Sequence, residues 1–283
     1  MIGIVCNDSL EVVGHSLFRN FRLGLQNYLS ETFKDVGGVN DLEDINLLVI
    51  VDEHFSPNVN IWKDSKFIDK LNRDNIKVLV FNFEKIFNSK FPWNEDHQKV
   101  LNTISNLVQI VSDISDAKIL GTEIINKQYL SRDTKLEYDV QKKQDRVLFI
   151  GQSEKIQNSS YAYYERYLLL NNISNIVDFP LDIDITGRRY TYKEYLTKLA
   201  SYKYILNPLG TGEFINLRYY EALKVGSIPI QQVTDDILLN YSELKYGHTF
   251  RTAEDISIPT KEFEVLDFYL EDYFEEINLK NLL

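Results

Sequence analysis

The stretch from Tyr202 to Ile230 holds the residues best spaced to do chemistry together. A β-type run, Tyr202–Asn207, enters Pro208-Leu209-Gly210-Thr211-Gly212-Glu213. A helical pattern, Asn216–Val225, follows, and Gly226-Ser227-Ile228-Pro229-Ile230 leaves it as a turn and a strand. Gly210 and Gly212 allow backbone to approach a ligand closely. The helix start behind them, with Thr211, Asn216 and Leu217, points N–H groups and positive partial charge at whatever lies over the loop. A diphosphate suits such a place. Arg218 and Glu221 are three positions apart and share a helix face, and Glu213 lies eight positions before Glu221. A guanidinium can fork onto phosphate oxygens. A carboxylate can hold a sugar diol by accepting its O–H groups. The plain alternative is an amphipathic helix whose glutamates face water.

Further cations and carboxylates stand near expected strand ends. Val147-Leu148-Phe149-Ile150-Gly151-Gln152-Ser153 reads as a strand running into a glycine turn, with Lys155 and Arg166 behind it as phosphate partners or as surface charges. Arg188 and Arg189 form another cationic pair. Activating a hydroxyl requires a base within hydrogen-bond reach of it. Glu84 follows the run Ile76–Phe83, Asp52 follows Ile45–Val51, and His15 begins the first helix; they rank in that order as the base. Each also reads as a solvated loop charge or a helix cap. Asp182-Ile183-Asp184 has the spacing of a divalent-cation pair. Such tripeptides are common in an acidic chain, and no metal is expected.

Glu213, seven residues, then Glu221-Ala222-Leu223-Lys224-Val225-Gly226-Ser227-Ile228-Pro229-Ile230 resembles the donor-site signature of GT-B glycosyltransferases. Phe214-Ile215-Asn216-Leu217-Arg218 with Glu221 is similar to the corresponding stretch of phage DNA β-glucosyltransferases, and exostosin-like transferases have a similar ending. The specific match covers about 30 residues. The resemblance implies a GT-B fold and a nucleotide-sugar donor, taken as a UDP-sugar, with no obligatory metal and no other cofactor. It also implies that Glu213 contacts the donor sugar, that Glu221 holds the ribose, that Arg218 binds the nucleotide and that Gly151 opens the donor site. Phe214 stands where many retaining members have Gly.

Hydrophobic periodicity supplies the frame for these residues. In the first half, Ile2–Cys6, Ile45–Val51, Ile76–Phe83 and Ala117–Leu120 read as strands. His15–Phe33, Asp64–Arg73 with Asp64 as N-cap, and His97–Asp113 read as helices. Continuous β-branched runs mark strands covered on both faces. The polar stretch 131–145 reads as a linker. The rhythm then restarts with strands Arg146–Ile150, Ile176–Phe179, Tyr204–Asn207 and Ile228–Gln231. The helices between them are Tyr161–Asn171, Thr191–Ser201 and Asn216–Val225, and Lys261–Leu283 reads as one or two terminal helices. Such alternation means parallel sheets with helices on both faces. The expected class is α/β, two Rossmann-like doubly wound domains facing a cleft. Residues 1–135 form the acceptor side, 146–260 hold the nucleotide sugar, and a helical segment, 261–283, crosses back toward the first domain. Ligands in such sheets bind outside the carboxyl ends of the strands.

Composition bounds the partners. The chain has 283 residues, 44% hydrophobic and 26% charged, enough for two solvated domains with cores of their own. A net charge of −11 gives no long-range attraction to nucleic acid or anionic lipid. The one cysteine, Cys6, cannot form an internal disulfide and suits a reducing compartment. The opening residues lack the pattern of a signal peptide, and no apolar run nears the ~20 residues that span a bilayer, so a cytoplasmic place is expected. The expected activity is glycosyl transfer, of hexosyltransferase type, from a nucleotide-diphosphate sugar to a hydroxyl acceptor. A glycan or small molecule fits the acidic charge, and modified DNA stays open. Two alternatives share the scaffold: a sugar-nucleotide epimerase, which turns over the donor without an acceptor, and a non-catalytic nucleotide-sugar or polysaccharide-binding protein.

Overall fold

The computed structural model describes residues 1–6, 16–51, 64–83, 85–87, 92–139, 142–153, 155, 161–185, 190–210, 212–259 and 268–283. The chain divides into two compact units. One holds Leu17–Asp133 with the opening strand and Tyr269–Leu283; the other holds Thr134–Phe268. Each is built on a five-stranded parallel sheet. Both units are therefore Rossmann-like and the fold is α/β.

In the first unit the strands are β1 (Ile2–Cys6), β2 (Phe33–Asp35), β3 (Leu47–Val51), β4 (Lys77–Asn82) and β5 (Leu107–Val111), in the order β2-β1-β3-β4-β5. The helices are α1 (Ser16–Leu29), α2 (Ser65–Arg73), α3 (Pro92–Leu101) and α4 (Ile114–Leu120). Every residue of β3, Leu-Leu-Val-Ile-Val, is buried, which is how an apolar run behaves when helices cover both sheet faces. Asp64 caps α2 by accepting from the Lys66 amide at 3.0 Å, and α2 then packs Phe67, Ile68 and Leu71 on Leu48, Ile50, Val78 and Val80. On the other face, the Phe21 ring lies 4.6 Å from Phe81, 4.9 Å from Phe83 and 5.3 Å from Phe274 of the C-terminal helix Leu270–Glu276. Burying a Phe side chain stabilises by about 1.5–3 kcal/mol, so these rings tie the end of the chain to this sheet.

In the second unit the strands are β6 (Gln144–Ile150), β7 (Leu181–Asp184), β8 (Tyr202–Asn207), β9 (Ile228–Gln232) and β10 (His248–Phe250), ordered β10-β9-β8-β6-β7. The helices α5 (Tyr161–Ile176), α6 (Tyr192–Ala200), α7 (Leu217–Lys224) and α8 (Asp235–Asn240) lie between them in sequence. Side chains alternate across β6. Leu148 and Ile150 pack with Leu196 and Leu199 of α6 and Ala222 of α7. Val147 and Phe149 pack with Leu170 and Ile173 of α5. The unit is thus doubly wound. Its chain steps from β6 outward to β7, then returns to place β8 on the other side of β6. The gap between β6 and β8 is the topological switch point.

Four expected elements differ from the structure. The helix over His97–Asp113 is the end of α3, a turn, and β5. Asn72 of α2 fastens that turn, donating to the Thr103 carbonyl at 3.0 Å and accepting from the Ser105 amide at 2.8 Å. The strand at Ala117–Leu120 is α4, capped by Asp113, which accepts from the Asp116 amide at 3.0 Å, and closed by Gly121 at φ 69°. The first helix does not reach Phe33. It ends at Leu29, Ser30 turns left-handed at φ 55°, and Phe33–Asp35 pairs with β1. The strand at Ile176–Phe179 lies later, at Leu181–Asp184, because α5 continues to Ile176. The edge strand β10 and helix α8 have no counterpart in the sequence reading.

Candidate functional site

The carboxyl edge of the second sheet gathers the groups of interest. β8 ends in Asn207, whose side-chain Nδ2 donates to Gln231 Oε1 at 2.5 Å, and the Leu209 backbone amide donates to Gln232 Oε1 at 3.1 Å. This fixes the loop 208–210 to the end of β9. Asn216 is the N-cap of α7 and accepts from the Arg218 amide at 3.1 Å. The cap leaves the first turn of α7 facing the strand ends, with Arg218 on it.

Two arginines meet there. Arg166 rises from α5, on the Phe149 face of the sheet, and Arg218 comes from α7, which covers the opposite face. Their guanidinium carbons lie 5.9 Å and 5.8 Å from the centroid of the same buried ring, Phe149. Arg166 donates to the Gln152 carbonyl at 2.7 Å and to the Leu209 carbonyl at 3.3 Å. It therefore staples the loop after β6 to the loop after β8, across the switch point. Arg218 donates to Asn207 Oδ1 at 3.2 Å. Its other terminal nitrogen crowds Gly151, where an added Cβ would stand 2.9 Å away, at φ 157°. Gln152 Oε1 and Arg218 Nε are buried atoms with no hydrogen-bond partner among the described residues.

Glu221 lies one turn beyond Arg218 and is 2% exposed. Its two carboxylate oxygens accept from the hydroxyls of Tyr192, at 2.8 Å, and Tyr195, at 2.9 Å. Burial raises its pKa, and the two hydroxyls and Arg218 pull it back down. Burial and the neighbouring Glu221 raise the Tyr195 phenol well above its usual value. The sequence reading had Glu221 grip a ribose diol directly. Here a protein hydroxyl already stands on each of its oxygens, because α6 lays Tyr192 and Tyr195 against α7. Nothing in the spacing of Glu221 signalled those tyrosines; their own spacing of three at a helix start was the available sign.

The structure brings Gly151, Gly210, Asn216, Arg218 and Glu221 into this neighbourhood, with Arg166 and Gln152. Asn216 serves as a cap, and Leu217 is buried. Glu213 is half-buried between the buried Gly212 and Phe214. Lys155 is exposed, with its ammonium 5.9 Å from the Tyr167 ring centroid. The exit of the motif sits at the opposite end of the sheet, where β9 begins. Gly226 turns at φ 72°, and Ser227 donates to the Leu199 carbonyl at 3.0 Å or the Tyr202 carbonyl at 2.8 Å. Asp182 accepts a forked bond from Arg146 at 2.8 and 2.5 Å, and Asp184 accepts from Tyr190 at 2.7 Å.

Thr211, Arg188, Arg189, Glu84, Asp52 and His15 lie outside the described residues. Asp116 accepts from the amides of Ile86 at 2.5 Å and Phe87 at 3.2 Å, and burial pushes its carboxyl up to about 6. Lys85 donates to Ser115 at 2.7 Å. The turn after β4 is thereby fastened to the start of α4. Among the described residues no helix is long and apolar enough to cross a membrane.

No family model and no curated protein matches the chain. Among solved structures it is similar to a chain of a GtfA/B complex, with a TM-score of 0.40 and 12% identity over 86% of this chain and 52% of that one. It is also similar to α,α-trehalose 6-phosphate synthase from Burkholderia multivorans, with a TM-score of 0.40 and 11% identity over 95% of this chain and 71% of that one. The chain spans about half the length of the GtfA/B chain it matches. Likeness at this level says nothing of its chemistry.

Proposed function

We propose that the second unit binds the diphosphate of a nucleotide sugar and that the protein is a glycosyltransferase acting on a hydroxyl acceptor. One observation carries the reading. Two arginines from opposite faces of a sheet converge on Phe149 at the switch point, beside the Gly151 backbone and the amino end of α7. Guanidinium groups can fork onto phosphate oxygens, and the edge of a doubly wound sheet beside a helix start is where a phosphate anion binds.

In the proposed reaction the bond from the anomeric carbon to the diphosphate oxygen breaks and the acceptor oxygen bonds to that carbon. The acceptor proton passes to a base, for which Glu84, then Asp52, then His15 are proposed. Arg218 and the helix start face the charge that gathers on the departing diphosphate, so they favour the transition state over the bound donor. A UDP-sugar is the proposed donor, a glycan or small molecule the proposed acceptor, and the cytoplasm the proposed compartment. No further cofactor is proposed.

The test is a thermal-shift series with UDP-, GDP-, CMP- and ADP-sugars. At about a hundredfold excess over Kd, a ligand that binds only the folded state adds about 2.7 kcal/mol. One class of sugar nucleotide is expected to raise Tm, and Arg218→Ala is expected to weaken that binding by roughly tenfold or more. No shift with any of them, or full affinity in Arg218→Ala, overturns the proposal.

A further inference from the structure

β8 and β9 are inner strands of the second sheet, and the apolar run of each gives way to an amide side chain, Asn207 after Leu206 and Gln231 after Ile230. The two amides stand opposite each other in the β8–β9 register, and both are 0% exposed. Burying polar side chains there is costly unless their groups are paired. A chain of hydrogen bonds pairs them. Gln231 Nε2 donates to the Gln232 backbone carbonyl at 2.7 Å. Asn207 Nδ2 donates to Gln231 Oε1 at 2.5 Å, and Arg218 Nη1 donates to Asn207 Oδ1 at 3.2 Å.

A backbone carbonyl can only accept, so it sets the direction of the whole chain. Gln231 must turn its NH2 toward that carbonyl and its oxygen toward Asn207. Asn207 must then turn its own NH2 toward Gln231 and its oxygen toward Arg218. The guanidinium is thus met by an acceptor that carries no charge. Glu221, one turn further along α7, accepts through its two oxygens from the hydroxyls of Tyr192 and Tyr195. We propose that Asn207 and Gln231 are positioning residues, which aim the Arg218 guanidinium at its anion and hold it without neutralising its charge. Asn207→Asp would reach the same nitrogen with a carboxylate and would neutralise it. This rests on the donor-site reading above, and it makes the diphosphate the charge partner for which Arg218 is kept.

The experiment is a double-mutant cycle in ligand binding. Inorganic pyrophosphate and UDP are titrated calorimetrically into the wild type, Gln231→Met, Arg218→Ala and the double variant, with Tm recorded for each. Gln231→Met nearly conserves volume and removes both amide groups, so Asn207 is free to turn its NH2 toward the guanidinium. With Arg218 present, it is expected to lower both affinities by roughly three- to tenfold. In the Arg218→Ala background it is expected to change them by less than about twofold, because its effect runs through the guanidinium. A loss of equal size in both backgrounds is what a general loosening of the site would give, and it overturns the proposal. Wild-type affinity in Gln231→Met overturns it too. Asn207→Asp is the second arm and is expected to weaken pyrophosphate by more than about tenfold; undiminished affinity there overturns the claim that a neutral acceptor matters. In each of these cases the wild type still binds, and the proposal falls alone. If the wild type binds neither pyrophosphate nor any nucleoside diphosphate, the donor-site reading falls and takes this one with it.

Discussion

At the scale of a residue, a methyl group at position 151 is a sharp probe of the site. Gly151 sits at φ 157°, and a Cβ there would stand 2.9 Å from Arg218 Nη2 and 3.2 Å from the Phe149 ring. Gly151→Ala must therefore strain the backbone by about 1–3 kcal/mol and push the guanidinium off its place. Gly38, away from the site, makes the control. Its Cβ would meet nothing within 4 Å, and its φ of −175° is extended backbone. Gly151→Ala is expected to lower sugar-nucleotide affinity by at least about tenfold, measured by titration, and Gly38→Ala to leave it nearly unchanged. Equal affinities in both variants would mean that the Arg218 guanidinium is not where the phosphate binds.

At the scale of an element, legibility followed burial. β3, residues 78–81 of β4 and residues 147–150 of β6 are apolar runs under helices on both faces, and their sequence could be read directly. Asp64 was legible as a cap because its side-chain oxygen stands next to an apolar periodic stretch. The failures lie where a tertiary contact decided. Asn72, distant in sequence, sets the turn that cuts α3 from β5. β7 carries Asp182 and Asp184 on an edge, so it lacks the apolar run that marks a central strand. At the site, Arg218 and Gly151 were legible from type and spacing. The staple made by Arg166 and the enclosure of Glu221 were not, since the first ties a helix to two loops and the second joins two helices. Helix α3 adds a testable consequence. His97 is 9% exposed, and burial alone depresses its pKa to about 4. Its folded pKa lies below its unfolded value of 6.5, so the stability it contributes is present above that value and is lost as pH falls toward 4. Urea unfolding is expected to show the wild type losing about 2 kcal/mol more than His97→Gln between about pH 7 and about pH 4.5. Equal losses would mean that this ring is protonated in the folded protein as readily as in the unfolded chain.

At the scale of the whole molecule, charge acts in two opposed ways. The chain carries a net charge of −11, and like charge repels itself in the compact state. The exposed ion pairs that salt would weaken, such as Lys99 with Asp96 and Lys203 with Asp145, are each worth little. Raising ionic strength should therefore raise Tm, since the screening length contracts to about 10 Å at 0.1 M. The proposed diphosphate site responds the other way. Arg166 and Arg218 are cations on an acidic protein, and an anionic ligand must cross the surrounding negative field to reach them. Salt has two effects on that approach: it screens the repulsion from the rest of the chain, and it screens the short-range attraction to the guanidinium groups. The second effect dominates in Arg218→Ala difference measurements, because the background repulsion is common to both proteins and cancels. The affinity gap between wild type and Arg218→Ala for UDP is expected to narrow as salt rises from about 0.02 M to about 0.5 M, while Tm rises in both. A gap that stays constant across that range would show that Arg218 supports the site through packing on Phe149 and not through charge offered to phosphate.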